Sequence, residues 1–503
     1  MCIKNKTITT LFIMLCYLST FAGQQKGCDI KITVKQLANS KLILAYYYAD
    51  NQYIKDTFKI DSKGVCEIKA DTNLPTGVYL AAFPALGNRY FEFVINEQRF
   101  SLTTDTNDLG GHLVISGSLE NELFYREIKF QTKVHKQNEE LAKEYSDTTL
   151  SENKKKAILE KAKKIEEQVS DEQDSVIKTF PNTFYAAILK AMKPIKPKEL
   201  KDAPKDSKGN IIDSSWVWRD YKERYWDNID FHDDRMVNTP VFYGKLKEFY
   251  TRTIIQAPDS IIEESDKLLS KLPPNGQIFK FSLTFMFNEM AKSQNIGFDA
   301  VYVHLVKNYY AKGLAPWVDS VQLYRIKDRG KVLDPLLIGR KAQFLQLADT
   351  TLTTFHSLYD LPNRFVILCF WDPDCGHCKK EIPKLVDIYH KMKKDGIDVE
   401  VYAATTIASE ADIKKWTDFI REHNLDWINV ADPNRRNNFR YEWDLQSTPQ
   451  IYILDKDKVI RMKRLGAEQI EDFIKHEIDP KYRPKKAPVA ETENAPEPGD
   501  NKK

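Results

Sequence analysis

Two thiols stand close together at Cys375-Gly376-His377-Cys378, just behind the apolar run Phe365 to Trp371. A continuous apolar run of this kind reads as a buried central strand. A Cys-x-x-Cys that opens the helix after such a strand puts its first sulfur at the helix N-terminus, where unpaired amides and the helix dipole favour a thiolate. Cys375 is therefore expected to be the exposed attacking sulfur, and Cys378, one turn further in, the thiol that resolves the mixed disulfide. His377 stabilises that thiolate when protonated, which makes it a candidate catalytic residue; its other possible role is to cap or pack at the helix start. Half of a zinc site and a haem attachment use the same spacing. The first lacks its second pair here, and the second needs His immediately after Cys378, where the chain has Lys379. His232-Asp233-Asp234 combines metal-ligating types, but consecutive residues point in different directions, so they read as a helix start and cap. Neither a metal nor a cofactor is expected.

The elements that position this dithiol belong to a chain of 503 residues. Single cores stop growing at roughly 250 to 300 residues, so several domains are expected. Residues 28–118 read as a small all-β domain, with strands at 30–34, 42–48, 57–60, 78–83, 90–95 and 113–116 bounded by Gly, Asn, Asp or Pro. After Ser116-Gly117-Ser118 the period changes, and Leu119, Leu123, Phe124, Ile128 and Phe130 recur at helical spacing. A helical region over 119–330 follows, with helices at 154–177, 184–192, 216–230, 241–257, 261–272, 278–293 and 299–310, interrupted by a Pro- and Lys-rich connection at 193–210. Residues 331–480 are α/β. They read as a hairpin of 342–347 with 353–355, strand 365–371, helix 377–394, strand 399–404, helix 410–423, strand 427–430, helix 434–443, the hairpin 451–454 with 459–462, and helix 467–478. The Pro-rich tail 481–503 has almost no apolar residues and is expected to be disordered.

Pro383 in the helix after Cys378, and Thr448-Pro449 just before a later strand, make the last third resemble the thioredoxins. The resemblance runs from about Leu336 to Ile478 and implies a C-terminal α/β thioredoxin fold, within a multidomain chain that has an N-terminal all-β domain and a helical middle region. It also implies that Pro383 kinks the active-site helix and that Pro449 is a cis-proline whose neighbouring backbone pairs with the substrate chain. Thr448, Pro449 and Trp371, the last in Phe370-Trp371-Asp372-Pro373-Asp374, are thus the expected substrate-binding residues. The long segment between helix and cis-proline resembles the TlpA-like extracytoplasmic branch. The order β domain, Gly117-Ser118 with Glu120-Asn121, and helical middle resembles multidomain envelope thioredoxins of Bacteroidota. One position departs. Thioredoxins have a buried Asp six residues before the first active cysteine, as proton acceptor for the resolving thiol, and Cys369 stands there. TlpA-like proteins use a Glu in the inserted segment, which makes Glu410 the candidate acceptor; its alternative is a plain acid at a helix N-terminus.

Lys4 and Lys6, an apolar stretch over 8–22 and small residues Thr20 and Ala22 read as a signal peptide over 1–22, and hence as export to the periplasm or cell envelope. Neither Cys16 nor Cys28 has the small residues before it that a lipidated cysteine needs, and no other stretch is long enough to span a bilayer. After cleavage five cysteines remain, of which Cys28 and Cys66 either pair or stay as thiols. With 75 Lys and Arg against 72 Asp and Glu, no field of one sign would draw in nucleic acid or an acidic membrane. The expected activity is thiol-disulfide oxidoreduction on disulfide- or thiol-containing exported proteins, fed by an unidentified electron donor. The alternatives are a protein that binds a glycan, peptide or protein partner and carries an accessory thioredoxin domain, and a thiol peroxidase. Against the second, the Thr of a Thr-x-x-Cys peroxidatic setting is replaced by Asp372.

Overall fold

The computed structural model describes residues 26–407 and 409–483. The signal segment read at 1–22 and the tail from residue 484 onward lie outside the described residues. The chain divides into two compact units, one running to Thr253 with Gly276–Ile278, the other made of Ile254–Asn275 and the chain from Phe279 onward.

The first unit begins with strands β1 (Cys28–Lys35), β2 (Lys41–Tyr48), β3 (Asn51–Lys59), β4 (Val65–Ala70), β5 (Gly77–Phe83), β6 (Arg89–Ile95), β7 (Arg99–Asp105) and β8 (Val114–Ser116). They form two four-stranded sheets, ordered β4-β1-β7-β8 and β3-β2-β5-β6. Alternate residues of β1, from Cys28 through Ile30 and Ile32 to Val34, enter one core with Leu44, Phe83, Phe93 and Leu102 from the other strands. Strands β4 and β7 are additions to the sequence reading. Their apolar residues, Cys66 and Ile68 in one and Phe100 and Leu102 in the other, alternate with polar ones, so each carries only two strong inward signals. The structure also answers the question of pairing between Cys28 and Cys66. Both are free and buried, and in the β1–β4 ladder Cys28 faces Ala70 while Cys66 faces Ile32. Four register steps along a strand are about 13 Å, well beyond disulfide reach.

Helices α1 (Leu119–Tyr145), α2 (Glu152–Thr179), α3 (Phe184–Met192), α4 (Trp216–Arg224) and α5 (Pro240–Glu248) complete this unit. The Gly117-Ser118 and Glu120-Asn121 pattern proves to be the joint between its parts. Ser118 caps α1 by accepting the Asn121 amide at 3.2 Å. The Asn121 side chain accepts the Val94 amide and donates to the Val94 carbonyl, each at 2.8 Å, as a neighbouring strand would. The Glu120 carboxylate accepts the Phe184 and Tyr185 amides at 2.7 Å, filling the first turn of α3. Asp233 of the His232-Asp233-Asp234 cluster caps a short turn by accepting the Arg235 amide.

The second unit opens with α6 (Pro258–Lys271), α7 (Gln277–Lys292), α8 (Asp299–Leu305) and α9 (Ser320–Leu333). Helix α9, capped by Asp319, is a further addition to the sequence reading. Then come β9 (Gln346–Ala348), β10 (Phe355–Ser357), β11 (Phe365–Trp371), α10 (Cys378–Lys394), β12 (Val399–Thr405), α11 (Ile413–Glu422), β13 (Ile428–Ala431), α12 (Phe439–Glu442), β14 (Gln450–Asp455), β15 (Ile460–Lys463) and α13 (Ala467–Ile478). The sheet order is β10-β9-β13-β12-β11-β14-β15, with β11 parallel to β12 and antiparallel to β14. Every residue of β11 is buried: Ile367, Cys369 and Trp371 pack towards α10, while Val366, Leu368 and Phe370 pack towards Phe439 and Trp443. Helix α12 is shorter than the 434–443 read from sequence. The Asp432 carboxylate takes the Arg436 and Asn437 amides, and Arg435 has a φ of 51°, so the preceding residues form a turn. Helix α8 is tied to β15 by a buried ion pair between Asp299 and Lys463, whose ammonium also donates to the Leu336 carbonyl at 2.6 Å. Among the described residues, no helix is long and apolar enough to cross a membrane.

Candidate active site

Strand β11 ends at Trp371, and the Asp372-Pro373-Asp374 turn carries the chain to the two thiols. The Asp372 carboxylate accepts the Asp374 amide at 2.8 Å, and the Asp372 carbonyl accepts the Cys375 amide at 3.2 Å, which fixes the path of the turn. Cys375 is half-buried, and its carbonyl accepts the Lys379 amide at 3.1 Å, so the residue stands at the open end of α10. Cys378 is fully buried in the first turn, and its sulfur accepts the Asp372 amide at 3.4 Å. His377 occupies the N-cap position of α10 with its side chain exposed. Pro383 lies inside the same helix.

Across from the dithiol, the Thr448–Pro449 bond is cis. The Cys375 thiol donates to the Thr448 carbonyl at 3.2 Å, so Thr448 and Pro449, adjacent in sequence to β14, come to the attacking sulfur as the sequence reading expected. Trp371 does not. It is fully buried, packs against Phe419 with ring centroids 5.0 Å apart and belongs to the core under α10, so it cannot touch a substrate. The reason is register: Cys369 and Trp371 share the helix-facing side of β11. The residue preceding Cys375 at the surface is instead Asp374, which is exposed and ion-paired with Lys415 at 2.7 Å.

The two thiols are pushed in opposite directions. Burial works against the Cys375 anion, but hydrogen bonds from the Thr448 side chain, the Cys378 amide and thiol and the His377 amide together hold its pKa below the ordinary thiol value. Burial pushes Cys378 up to about 12, against the pull of the Asp372 amide. Cys369 is also pushed up, by complete burial and then by the neighbouring Cys378. It stays a protonated thiol and cannot accept the proton that Cys378 must lose. Glu410 begins a short turn ahead of α11, and its side chain lies outside the described residues. A part that the sequence reading passed over is Thr406, whose hydroxyl donates to the Asp372 carboxylate at 3.1 Å and whose amide donates to the Trp371 carbonyl at 2.8 Å. Only its place after the apolar strand 399–404 could have signalled it. Together these groups present one activated sulfur to solvent and keep a second, protonated one behind it, which is the arrangement disulfide exchange requires.

Comparison with known proteins finds two separate family matches in the chain. Residues 338–463 match the AhpC/TSA family, and residues 28–124 match a domain of unknown function, DUF4369. Thiol-disulfide oxidoreductase ResA of Bacillus cereus is 28% identical over 120 residues, 23% of this chain and 65% of that protein. ResA of Geobacillus kaustophilus is 26% identical over 121 residues, 24% of this chain and 66% of that protein. The chain therefore spans just under two thirds of the length of these curated relatives. Among solved structures, a domain of a possible thiol-disulfide isomerase from Cytophaga hutchinsonii is 40% identical, covering 29% of this chain and 97% of that one, with a TM-score of 0.27. A thioredoxin-like protein from Bacteroides caccae is 20% identical, covering 56% of this chain and 99% of that one, with a TM-score of 0.41.

Proposed function

The C-terminal domain belongs to the thioredoxin-like AhpC/TSA family, and on that premise we propose that the protein is an extracytoplasmic thiol-disulfide oxidoreductase that reduces or exchanges disulfides of exported proteins. The observation that carries this reading is the half-buried Cys375, 3.2 Å from the carbonyl before a cis-proline, with Cys378 sealed behind it. In this reading the Cys375 thiolate attacks one sulfur of a substrate disulfide, forming a mixed disulfide and releasing the other substrate sulfur as a thiolate. Cys378, once deprotonated, attacks the Cys375 sulfur. The second substrate thiolate leaves, and two electrons have passed to the substrate as the Cys375–Cys378 disulfide forms. Thr448 and Pro449 hold the substrate chain, His377 supports the thiolate, and Glu410 takes the proton of Cys378. An unidentified electron donor returns the dithiol to its reduced state. The peroxidase alternative is disfavoured by Asp372, whose carboxylate is committed to the Asp374 amide and the Thr406 hydroxyl.

Trapping tests the reading in the native host. Cys378→Ser is expected to accumulate mixed disulfides with exported proteins in the extracytoplasmic fraction, and Cys375→Ser to accumulate none. Trapping by Cys375→Ser alone would reverse the two roles, and trapping of cytosolic proteins would refute export.

A further inference from the structure

Beside Pro449 lies a cleft of about 410 Å³ that the exchange chemistry leaves unused, lined among others by Gln294, Arg329, Asp444, Ser447 and Arg464. It borders the cis-proline whose preceding carbonyl meets the Cys375 sulfur. Arg329, from α9, lies over the Tyr302 ring at 5.8 Å and 3.7 Å from the Asp444 carboxylate. Asp444 is buried and also accepts from Gln446 at 2.9 Å, so its charge is occupied within the protein. Asp299 and Lys463, close by, neutralise each other. That leaves Arg464, which is exposed and makes no ion pair among the described residues. Its φ of 59° places an arginine where glycine would hold the turn more easily, while its amide donates to the Ile451 carbonyl at 2.8 Å. The turn alone therefore does not account for the side chain.

We propose that this cleft is a carboxylate-binding subsite, with Arg464 as its principal cation and Arg329 in support, and that it selects polypeptides bearing an acidic residue beside the cysteine that Cys375 attacks. The inference rests on the thiol-disulfide reading above. Ser447 and Pro449, on either side of Thr448, line the cleft, so a chain paired to that backbone passes beside it, and a guanidinium meets a carboxylate through paired, charge-assisted hydrogen bonds. The ligand is a side-chain carboxylate of the substrate polypeptide rather than the carboxylates of a small disulfide.

The test uses the reduced full-length chain and three peptide disulfides that differ only in Glu, Gln or Lys beside the cysteine, with glutathione disulfide and the uncharged 2-hydroxyethyl disulfide alongside. The Glu peptide is expected to react about fivefold faster than the Gln peptide at low ionic strength, with the ratio falling towards one as salt is added. In Arg464→Gln the ratio collapses to about one, and in Arg464→Glu the Lys peptide becomes the preferred substrate. Arg464→Gly, which suits the backbone, is expected to lose the preference as well, which separates charge from folding. Because each ratio is read within one variant, a general loss of activity cancels. Equal rates for the three peptides, a preference that survives in Arg464→Gly, or a charge effect confined to glutathione disulfide would each overturn the inference. Failure of the wild type to reduce even 2-hydroxyethyl disulfide would instead overturn the oxidoreductase reading beneath it.

Discussion

Replacing His377 by Pro and by Ala separates two ways in which this residue could tune the dithiol. The structure leaves the ring exposed and has the His377 amide among the hydrogen bonds that hold Cys375 below the ordinary thiol value. Proline removes both amide and ring, whereas alanine removes only the ring. The amide ranks behind the Thr448 side chain and the Cys378 amide and thiol in its pull on Cys375, so its loss is expected to raise the Cys375 pKa while those stronger bonds remain. One unit is about 1.36 kcal/mol, and for a two-electron couple about 30 mV corresponds to about 1.4 kcal/mol. Destabilising the reduced thiolate stabilises the disulfide relative to it, so His377→Pro should make the pair more reducing, by about 30 mV for each unit by which the thiolate titration moves, at a pH where Cys375 is ionised. His377→Ala keeps the amide and should therefore shift the potential less than His377→Pro. Titration of the thiolate absorbance and equilibration with a glutathione redox buffer measure both quantities. Equal shifts in the two variants at pH 8 would refute the role of the amide, and no shift in either would leave His377 without a part in catalysis.

Two further outcomes follow from buried groups. With Cys378 pushed up to about 12, its thiolate is scarce at pH 7. Resolution of the mixed disulfide without a proton acceptor should therefore quicken about tenfold per pH unit. If Glu410 is the acceptor, the wild type resolves faster and with a shallower slope at neutral pH, and Glu410→Gln restores the steep one; rapid quenching with mass spectrometry reads both, and identical profiles would rule Glu410 out. Lys463→Met strands the buried Asp299 carboxylate without its cation, and the reduced protein should lose about 3 to 5 kcal/mol in denaturant unfolding, most of it regained when Asp299→Leu is added. A loss below about 1 kcal/mol would show that the pair is solvated.

The sequence alone carried the dithiol between a buried strand and a helix, because both elements are local demands, whereas the cis Thr448–Pro449 bond was expected only through the resemblance to thioredoxins. A helix N-terminus favours a thiolate, and a strand buried on both faces reads as a continuous apolar run. Strands β4 and β7 and helix α9 were less legible, since each shows only a few apolar residues among polar ones and takes its stability from partners far away in the chain. Tertiary structure alone decided the rest of the chemistry. Trp371 sits next to the reactive turn in sequence, yet strand register turns it into the core and removes it from the surface that meets substrate. Cys28 and Cys66 lie on paired strands, yet four register steps keep them apart. Glu120 and Asn121 look like a solvated helix start and are instead buried, one closing the first turn of α3 and the other the edge of β6. The cleft beside Pro449 draws Gln294 from the loop after α7, Arg329 from α9 and Arg464 from a turn past β15. No spacing rule brings such residues together, because their meeting depends on how whole elements pack and not on any local preference of the chain.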